Sequence, residues 1–327
     1  MQIFAAWASI LAGHIPALSI EVTRECPLRC PGCYAYGADH LGGGTTLREV
    51  RDFRGQQLVD GIIALVDRHR PMHVSIVGGE PLVRYRELSA LLPQLASRRI
   101  HVQVVTSAVR EIPLEWRGIR RLSIVVSIDG LQPEHDARRA PATYDRILKH
   151  IIGHTLTVHC TVTRQQVNRP GYIEEFLRFW SAQKPVGTIW MSLYTPQVGE
   201  ISEERLRPVD RKRVIEDLMA LRLKYPKLKM RKGLLDVYAV PPQSPADCVF
   251  AKTTTTISAD LTTRITPCQF GGTPDCGSCG CIASAGLAAV ARHRIWGVIP
   301  IEPIFATSMK IGDHVRRLKG NIRHGAR

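Results

Sequence analysis

Six short runs rich in β-branched residues recur at 17–22, 73–77, 101–106, 121–128, 156–163 and 188–194. Longer amphipathic stretches lie between or after them, at roughly 46–70, 85–98, 142–152, 171–183 and 208–224. Strands separated by a helix are too far apart in sequence for hairpin pairing, so they pair in parallel through right-handed crossovers. That alternation predicts an α/β fold. In such sheets ligands gather beyond the carboxyl ends of the strands, so the loops that follow each strand are where chemistry is expected. No internal repeat of fixed period interrupts the pattern.

The loop after the first run reads RECPLRCPGCYAYG and places Cys26, Cys30 and Cys33 within eight residues. A structural zinc site uses four ligands, a disulfide two and a thiolate nucleophile one. Three thiolates can hold three irons of a [4Fe–4S] cube and leave the fourth open. A zinc site completed by His14 or His40, or a grouping without function, would also accommodate the spacing. The chain has nine cysteines, an odd number gathered in two clusters with Cys160 apart. This favours metal or cluster ligation in a reducing, cytoplasmic setting over a disulfide framework. Cys160, inside an apolar run, reads as a small buried hydrophobe.

After about residue 225 the texture turns Pro-, Thr- and Cys-rich. A β-hairpin is predicted over 253–267 with SADLTT as its turn. The predicted division is an apolar N-terminal helix (1–16), a first domain (17–225) and a second, smaller one (226–327) with a basic tail. The N-terminal stretch has no Lys or Arg before its apolar run, and His14 and Pro16 interrupt it. It falls short of the roughly 20 residues of a membrane span. It reads as a core helix or as a surface that touches lipid or an apolar substrate.

The formal charge of +15 and pI near 9.7 favour an acidic partner. The basic clusters RPVDRKR, KYPKLKMRK and VRRLKGNIRHGAR lack an accompanying aromatic ribbon or helix-turn-helix pattern. Nucleic acid is therefore not the expected partner.

CPLRCPGCY has the CxxxCxxC form, with an aromatic after the last cysteine, and resembles the signature of the radical S-adenosylmethionine (radical SAM) superfamily. VSIVGGEPL (74–82) resembles that family's second-strand GGEP motif, and VVSIDGLQPEHDARR (125–139) its SIDG…HDxxR stretch. The resemblance implies a partial (β/α)6 barrel in which Cys26, Cys30 and Cys33 hold a [4Fe–4S] cluster whose open iron binds S-adenosylmethionine. One electron, from a reductant such as flavodoxin or ferredoxin, would then yield a 5′-deoxyadenosyl radical that abstracts hydrogen from a substrate. By the same resemblance Gly78, Gly79 and Glu80 would hold the methionyl amino group. Ser127 and Arg139 would contact the ribose and carboxylate end, and Tyr34 the adenine. Glycines allow close backbone approach, and a carboxylate suits an ammonium group. VVTSAV replaces the Asn-Gly pair of many relatives, which leaves Thr106 and Ser107 as ribose contacts. Asp129 reads either as a catalytic base or as a turn cap.

Cys248, Cys268, Cys276, Cys279 and Cys281 form the second cluster. Four would complete a cube and leave one spare or facing substrate, while four could equally make a zinc knot. The arrangement resembles SPASM and twitch domains, with too few cysteines for the two clusters of full SPASM. It therefore implies a single twitch-like auxiliary [4Fe–4S] cluster in a Cys-rich β-hairpin/α domain.

Three functional readings remain. The first is radical modification of a peptide or protein, although barely sixteen residues precede the first strand. The second is modification of a lipid or isoprenoid at an anionic membrane, suggested by IFAAWASIL, by GLAAVARHRIWGVIPIEPIF and by the basic surplus. The third is a non-catalytic iron–sulfur electron carrier or RNA-binding protein, against which the intact GGEP motif argues.

Overall fold

The computed structural model describes residues 2–295 and 299–324. Met1, the final residues 325–327 of the basic tail, and 296–298 within the apolar 286–305 stretch lie outside the described residues. Eight strands form one sheet: β1 (Ala17–Glu21), β2 (His73–Val77), β3 (His101–Thr106), β4 (Leu122–Ser127), β5 (Leu156–Val162), β6 (Val186–Leu193), β7 (Thr254–Ile257) and β8 (Arg264–Ile265). Their order is β6-β5-β4-β3-β2-β1-β7-β8. The first six are parallel neighbours in chain order, giving the α/β partial barrel expected from the strand–helix alternation.

The helices are α1 (Gln2–Leu11), α2 (Gly55–His69), α3 (Tyr85–Ser97), α4 (Gln132–Arg139), α5 (Tyr144–His150), α6 (Arg164–Val167), α7 (Tyr172–Ala182), α8 (Pro208–Lys224), α9 (Lys232–Ala239), α10 (Val249–Thr253), α11 (Ile282–Ala291) and α12 (Ile301–His324). Several present apolar stripes at helical spacing. In α7, for example, Ile173, Phe176, Leu177 and Trp180 are all buried. Deleting such a buried aromatic side chain costs about 3–5 kcal/mol.

The 46–70 stretch is not one helix. A 3₁₀ turn at Leu47–Glu49 is closed by a Thr46/Glu49 capping box, and Val50 is extended before α2 starts at Gly55. Arg24 holds this break open by donating to the carbonyls of Arg48 and Val50, at 3.0 and 3.1 Å. The periodicity missed α4, α6, α9, α10, α11 and α12; α4, α6, α9 and α10 are short, and α11 is apolar nearly all round.

The hairpin forms over β7 and β8, its turn organised by Asp260, which accepts from the backbone N–H groups of Thr262 and Thr263. β7 pairs in parallel with β1, Leu18 facing Thr255. The sheet thus continues past the change of texture at residue 225, and the second cysteine cluster is carried on an extension of the first domain's sheet. At the other end, α1 packs on α12, where a Cβ on Gly312 would lie 2.1 Å from the Ile10 carbonyl oxygen. Ile10 is buried there, while Leu11 is exposed.

Candidate functional site

The first cysteine loop leaves β1 and runs beside the loop after β2. Gly79 donates to the Thr23 carbonyl and Glu80 to that of Glu25, each at 2.8 Å. The two glycines are required by this contact. Gly78 has φ +121°, and a Cβ on Gly79 would sit 2.1 Å from the Glu25 carbonyl oxygen. The close approach that the sequence assigned to a ligand is, in the structure, an approach to the cysteine loop itself. Arg84, 4% exposed, fixes the same loop by binding Glu25 at 3.1 Å and Asp52 at 2.5 Å. Arg84 and Arg54 hold the Glu25 carboxyl below its ordinary value.

Glu80 is buried and brings Thr106 and Ser107 together. Its Oε1 accepts from Leu82 N–H at 2.9 Å and from the Thr106 hydroxyl, and its Oε2 accepts from Ser107 N–H at 2.8 Å and from the Ser107 hydroxyl. Four donors fill the acceptor sites of a carboxylate. An ammonium group could reach Glu80 only if one hydroxyl turned away, so in this structure Glu80, Thr106 and Ser107 join the ends of β2 and β3.

Asp129 lies just beyond β4, two residues after the half-buried Ser127. Its Oδ2 accepts from Arg138 Nε at 3.0 Å and Arg139 Nε at 2.7 Å, both from the end of α4. Burial alone would raise this carboxyl, but the Arg139 and Arg138 guanidiniums prevail and bring it down to about 2. A group so acidic is a poor proton acceptor near neutral pH and a good anchor for Arg139. His135 completes the turn: Asp129 N–H donates to its Nδ1 at 3.0 Å and its Nε2 faces the Ala142 carbonyl at 2.8 Å. Burial lowers its pKa to about 4, so it is neutral, with the proton on Nε2.

Two residues with no motif of their own finish the loop. Arg138 donates to the Pro31 carbonyl at 2.7 Å and pairs with Glu204. A Cβ on Gly32 would lie 2.7 Å from the Glu204 carboxylate. The loop is therefore held near Cys26 by Arg84 and near Cys33 by Arg138 and Glu204.

The three thiols converge on one another. Burial pushes Cys26 up to about 12, and the charges of Glu80, Cys30 and Cys33 add to it. Burial likewise raises Cys30 and Cys33. Gathered thiols that resist ionisation fit a site where iron replaces the protons. Among the described residues, no group of three or more His, Cys, Asp or Glu side chains is arranged to hold a single metal ion. A [4Fe–4S] cube takes thiolates as its protein donors, one to each iron, and the three thiols of this loop fit that donor set.

The second group lines one recess containing all five thiols, Cys248, Cys268, Cys276, Cys279 and Cys281, together with Phe250 and Phe270. Burial raises Cys268 to about 12 and Cys276 to about 11, reinforced in both by neighbouring cysteines. It raises Cys279 and Cys281 as well. Cys281 caps α11, its Sγ accepting from Ser284 N–H at 3.5 Å and from Gln269 Nε2 at 3.2 Å. Cys248 Sγ lies 3.2 Å from Ser284 Oγ. Gly280 is pressed on the end of β6, where a Cβ would be 2.2 Å from the Leu193 carbonyl oxygen. Cys160 is buried within β5.

Tyr34 stands between the two groups. Its ring meets Phe270 edge-on at 5.2 Å and His40 at 5.8 Å. Tyr34 is 36% exposed, but desolvation at its hydroxyl raises that group's pKa, as do charges at Glu21, Cys33, Cys281 and Cys268. Beneath it, His40 Nε2 is 2.8 Å from Glu21 Oε1 and Nδ1 is 3.0 Å from the Phe270 carbonyl, while Ser258 donates to Glu21 Oε2 at 2.8 Å. In sequence His40 stands out only as a candidate zinc ligand, and Glu21 belongs to no motif, its one signal being a carboxylate inside an apolar strand. His159, opposite Ser127 in the β4–β5 register, is neutral because burial takes it to about 4, and it bonds Ser192 at 2.7 Å.

Residues 20–152 match the family model of the radical SAM superfamily. No curated protein sequence matches the chain. Among solved structures it is similar to SuiB of Streptococcus suis bound to the precursor peptide SuiA, at 18% identity and TM-score 0.57 over 75% of this chain. The match takes in 58% of SuiB, so the chain spans little more than half that protein's length. It is also similar to anSMEcpe with bound AdoMet and Kp18Cys peptide, at 15% identity and TM-score 0.56, covering 78% of this chain and 75% of that one. These likenesses establish the fold. Among the described residues no helix is long and apolar enough to cross a membrane.

Proposed function

We propose that the chain is a radical SAM enzyme that modifies a peptide or protein. The observation that carries this reading is the loop of Cys26, Cys30 and Cys33, fixed from both ends and flanked by Glu80 and Arg139. The three thiols would hold three irons of a [4Fe–4S] cluster, the fourth being left for S-adenosylmethionine. The chemistry supplied by that pair when bound is one-electron cleavage of the sulfonium and hydrogen abstraction by the resulting 5′-deoxyadenosyl radical. Arg139, kept cationic and oriented by Asp129, would bind the carboxylate of S-adenosylmethionine. Glu80 would shape the pocket wall through Thr106 and Ser107, with Gly78 and Gly79 setting the distance of that wall from the cysteine loop. Ser127 would contact the ribose. Tyr34 would close the adenine side and separate it from the second thiol group. Four of the five C-terminal cysteines would hold an auxiliary [4Fe–4S] cluster of the twitch type, on the sheet extension formed by β7 and β8.

A peptide or protein substrate is supported by the fold shared with SuiB and anSMEcpe, both of which have been solved with peptides bound. A second reading, an apolar or lipid substrate at an anionic membrane surface, is favoured by Ile304, Ile311 and Leu318, exposed at seven-residue intervals on α12 beside Lys310 and Arg317. The nine free cysteines suit a reducing, cytoplasmic setting.

Anaerobic reconstitution tests the reading. It should give about eight irons per chain for two four-iron clusters, and dithionite-dependent release of 5′-deoxyadenosine that Cys30→Ala abolishes. About four irons with intact cleavage would remove the auxiliary cluster. A loaded first cluster without cleavage would remove the radical chemistry.

A further inference from the structure

We propose that the face around Cys26 is the docking surface of an acidic one-electron carrier protein, of the flavin or iron–sulfur type. The proposal rests on the reading of the first cysteine loop as a cluster site, since the electron must reach that cluster from outside.

An open recess lined by Arg24, Glu25, Cys26, Pro27, Arg48 and Val83 is where the first cysteine loop meets solvent. Cys33, at the loop's other end, lies against Tyr36 and the small core of Ala35, Leu47 and Ala259. The recess beside Cys26 gives a protein donor a direct approach to the cluster.

This face carries ordered, uncompensated positive charge. Arg24, Arg48, Arg51, Arg86 and Arg110 are all exposed, and none is in an ion pair among the described residues. Of the acids nearest the recess, four are already engaged, while Glu111 beside Arg110 is exposed and in no ion pair among the described residues. Glu25 binds Arg54 and Arg84, Asp52 binds Arg84, Glu49 caps Thr46, and Glu87 accepts from Gly55 N–H. The arginines are also held in place. Arg48 lies 4.0 Å over the Tyr36 ring, Arg51 4.6 Å over Phe53, and Arg110 3.7 Å over Tyr85. Pre-stacked guanidiniums lose little entropy on pairing with carboxylates, and their field steers an acidic partner into contact.

The same stacking disfavours nucleic acid. A single strand needs free aromatic faces on which bases can lie, and here the rings of Tyr36, Phe53 and Tyr85 are covered by the arginines. In the complex one electron passes from the carrier's reduced flavin or cluster to the chain's first cluster; no bond forms or breaks.

The test uses the full-length reconstituted protein, flavodoxin as the probe, and the variant R51E/R110E, whose two positions lie outside the S-adenosylmethionine site. Binding of oxidised flavodoxin should weaken about tenfold or more in the variant, and wild-type binding should weaken with added salt. Bleaching of cluster absorbance by reduced flavodoxin should slow to a similar extent, while bleaching by dithionite stays unchanged. Equal slowing with both reductants, undiminished flavodoxin binding, or loss of binding to a single-stranded oligonucleotide with none to flavodoxin would each overturn the proposal. A chain that takes up no iron in the first site would defeat the cluster reading instead, and flavodoxin binding would still report on the surface.

Discussion

Replacing His40 with Ala removes the buried imidazole that joins the two cysteine loops. Both ring nitrogens face acceptors, Glu21 Oε1 at 2.8 Å and the Phe270 carbonyl at 3.0 Å, so both must carry protons and the ring is an imidazolium. The His40 and Glu21 side chains are 0% and 2% exposed. Removing one partner of a buried ion pair costs about 3–5 kcal/mol, because the other charge is left desolvated. Against a typical total of about 5–15 kcal/mol, the variant should lose about a fifth or more of its stability. His40→Gln, which can offer two donors, should recover part of the loss. The pH dependence carries a second signature. Burial works against the charge on His40, but the hydrogen bond and charge of Glu21 outweigh it, and the folded-state pKa lies above the ordinary 6.5. A raised pKa contributes stability that is fully present below about pH 6.5 and is lost as pH rises through the folded value. Urea denaturation of wild type and His40→Ala at pH 6 and pH 9, followed by far-ultraviolet circular dichroism, measures both effects. The gap between the two proteins should be large at pH 6 and smaller at pH 9. A gap below about 1 kcal/mol at pH 6, the size of one ordinary hydrogen bond, would refute the reasoning. So would a gap that does not narrow with pH.

Gly79→Ala should drive a methyl into the Glu25 carbonyl, where the Cβ would lie 2.1 Å away. The expected result is a loss of about 1–3 kcal/mol, and iron content falling from about eight toward about four as the first cluster fails to assemble. Asp129→Asn should weaken binding of S-adenosylmethionine, seen by equilibrium dialysis, and remove an acid-labile contribution. The wild-type carboxyl at about 2 gives stability present above its unfolded value and lost as pH falls through about 2, so the variant's acid unfolding should be shallower there. Single Ala substitutions of Cys248, Cys268, Cys276, Cys279 and Cys281, assayed for iron and visible absorbance after reconstitution, should separate four that lose the auxiliary cluster from one that keeps it.

The parallel sheet and the first cysteine loop were legible because their signals are local. β-branched runs and helical stripes repeat within a few residues, and three cysteines in eight residues state their own geometry. Residue roles were read less completely. Glu80 was matched by its motif, but that its carboxylate already takes four donors depends on Thr106 and Ser107, which follow another strand. Asp129 reads in sequence as either base or cap, and only the fold puts Arg138 and Arg139 on one of its oxygens.

What the sequence determined by itself is the strand–helix alternation, the two thiol groups and the loops at the strand ends that carry them, all properties of short windows. What only the tertiary structure decided is how those loops are held together. His40 meets the Phe270 carbonyl across 230 residues, and Arg138 meets Glu204 across 66. The hairpin of β7 and β8 joins the main sheet beside β1. Hydrophobic periodicity fixes which face of an element is buried. It does not say which distant charge or backbone carbonyl will lie opposite a given side chain, and in this chain such pairings fix the first cysteine loop and tie it to the second group.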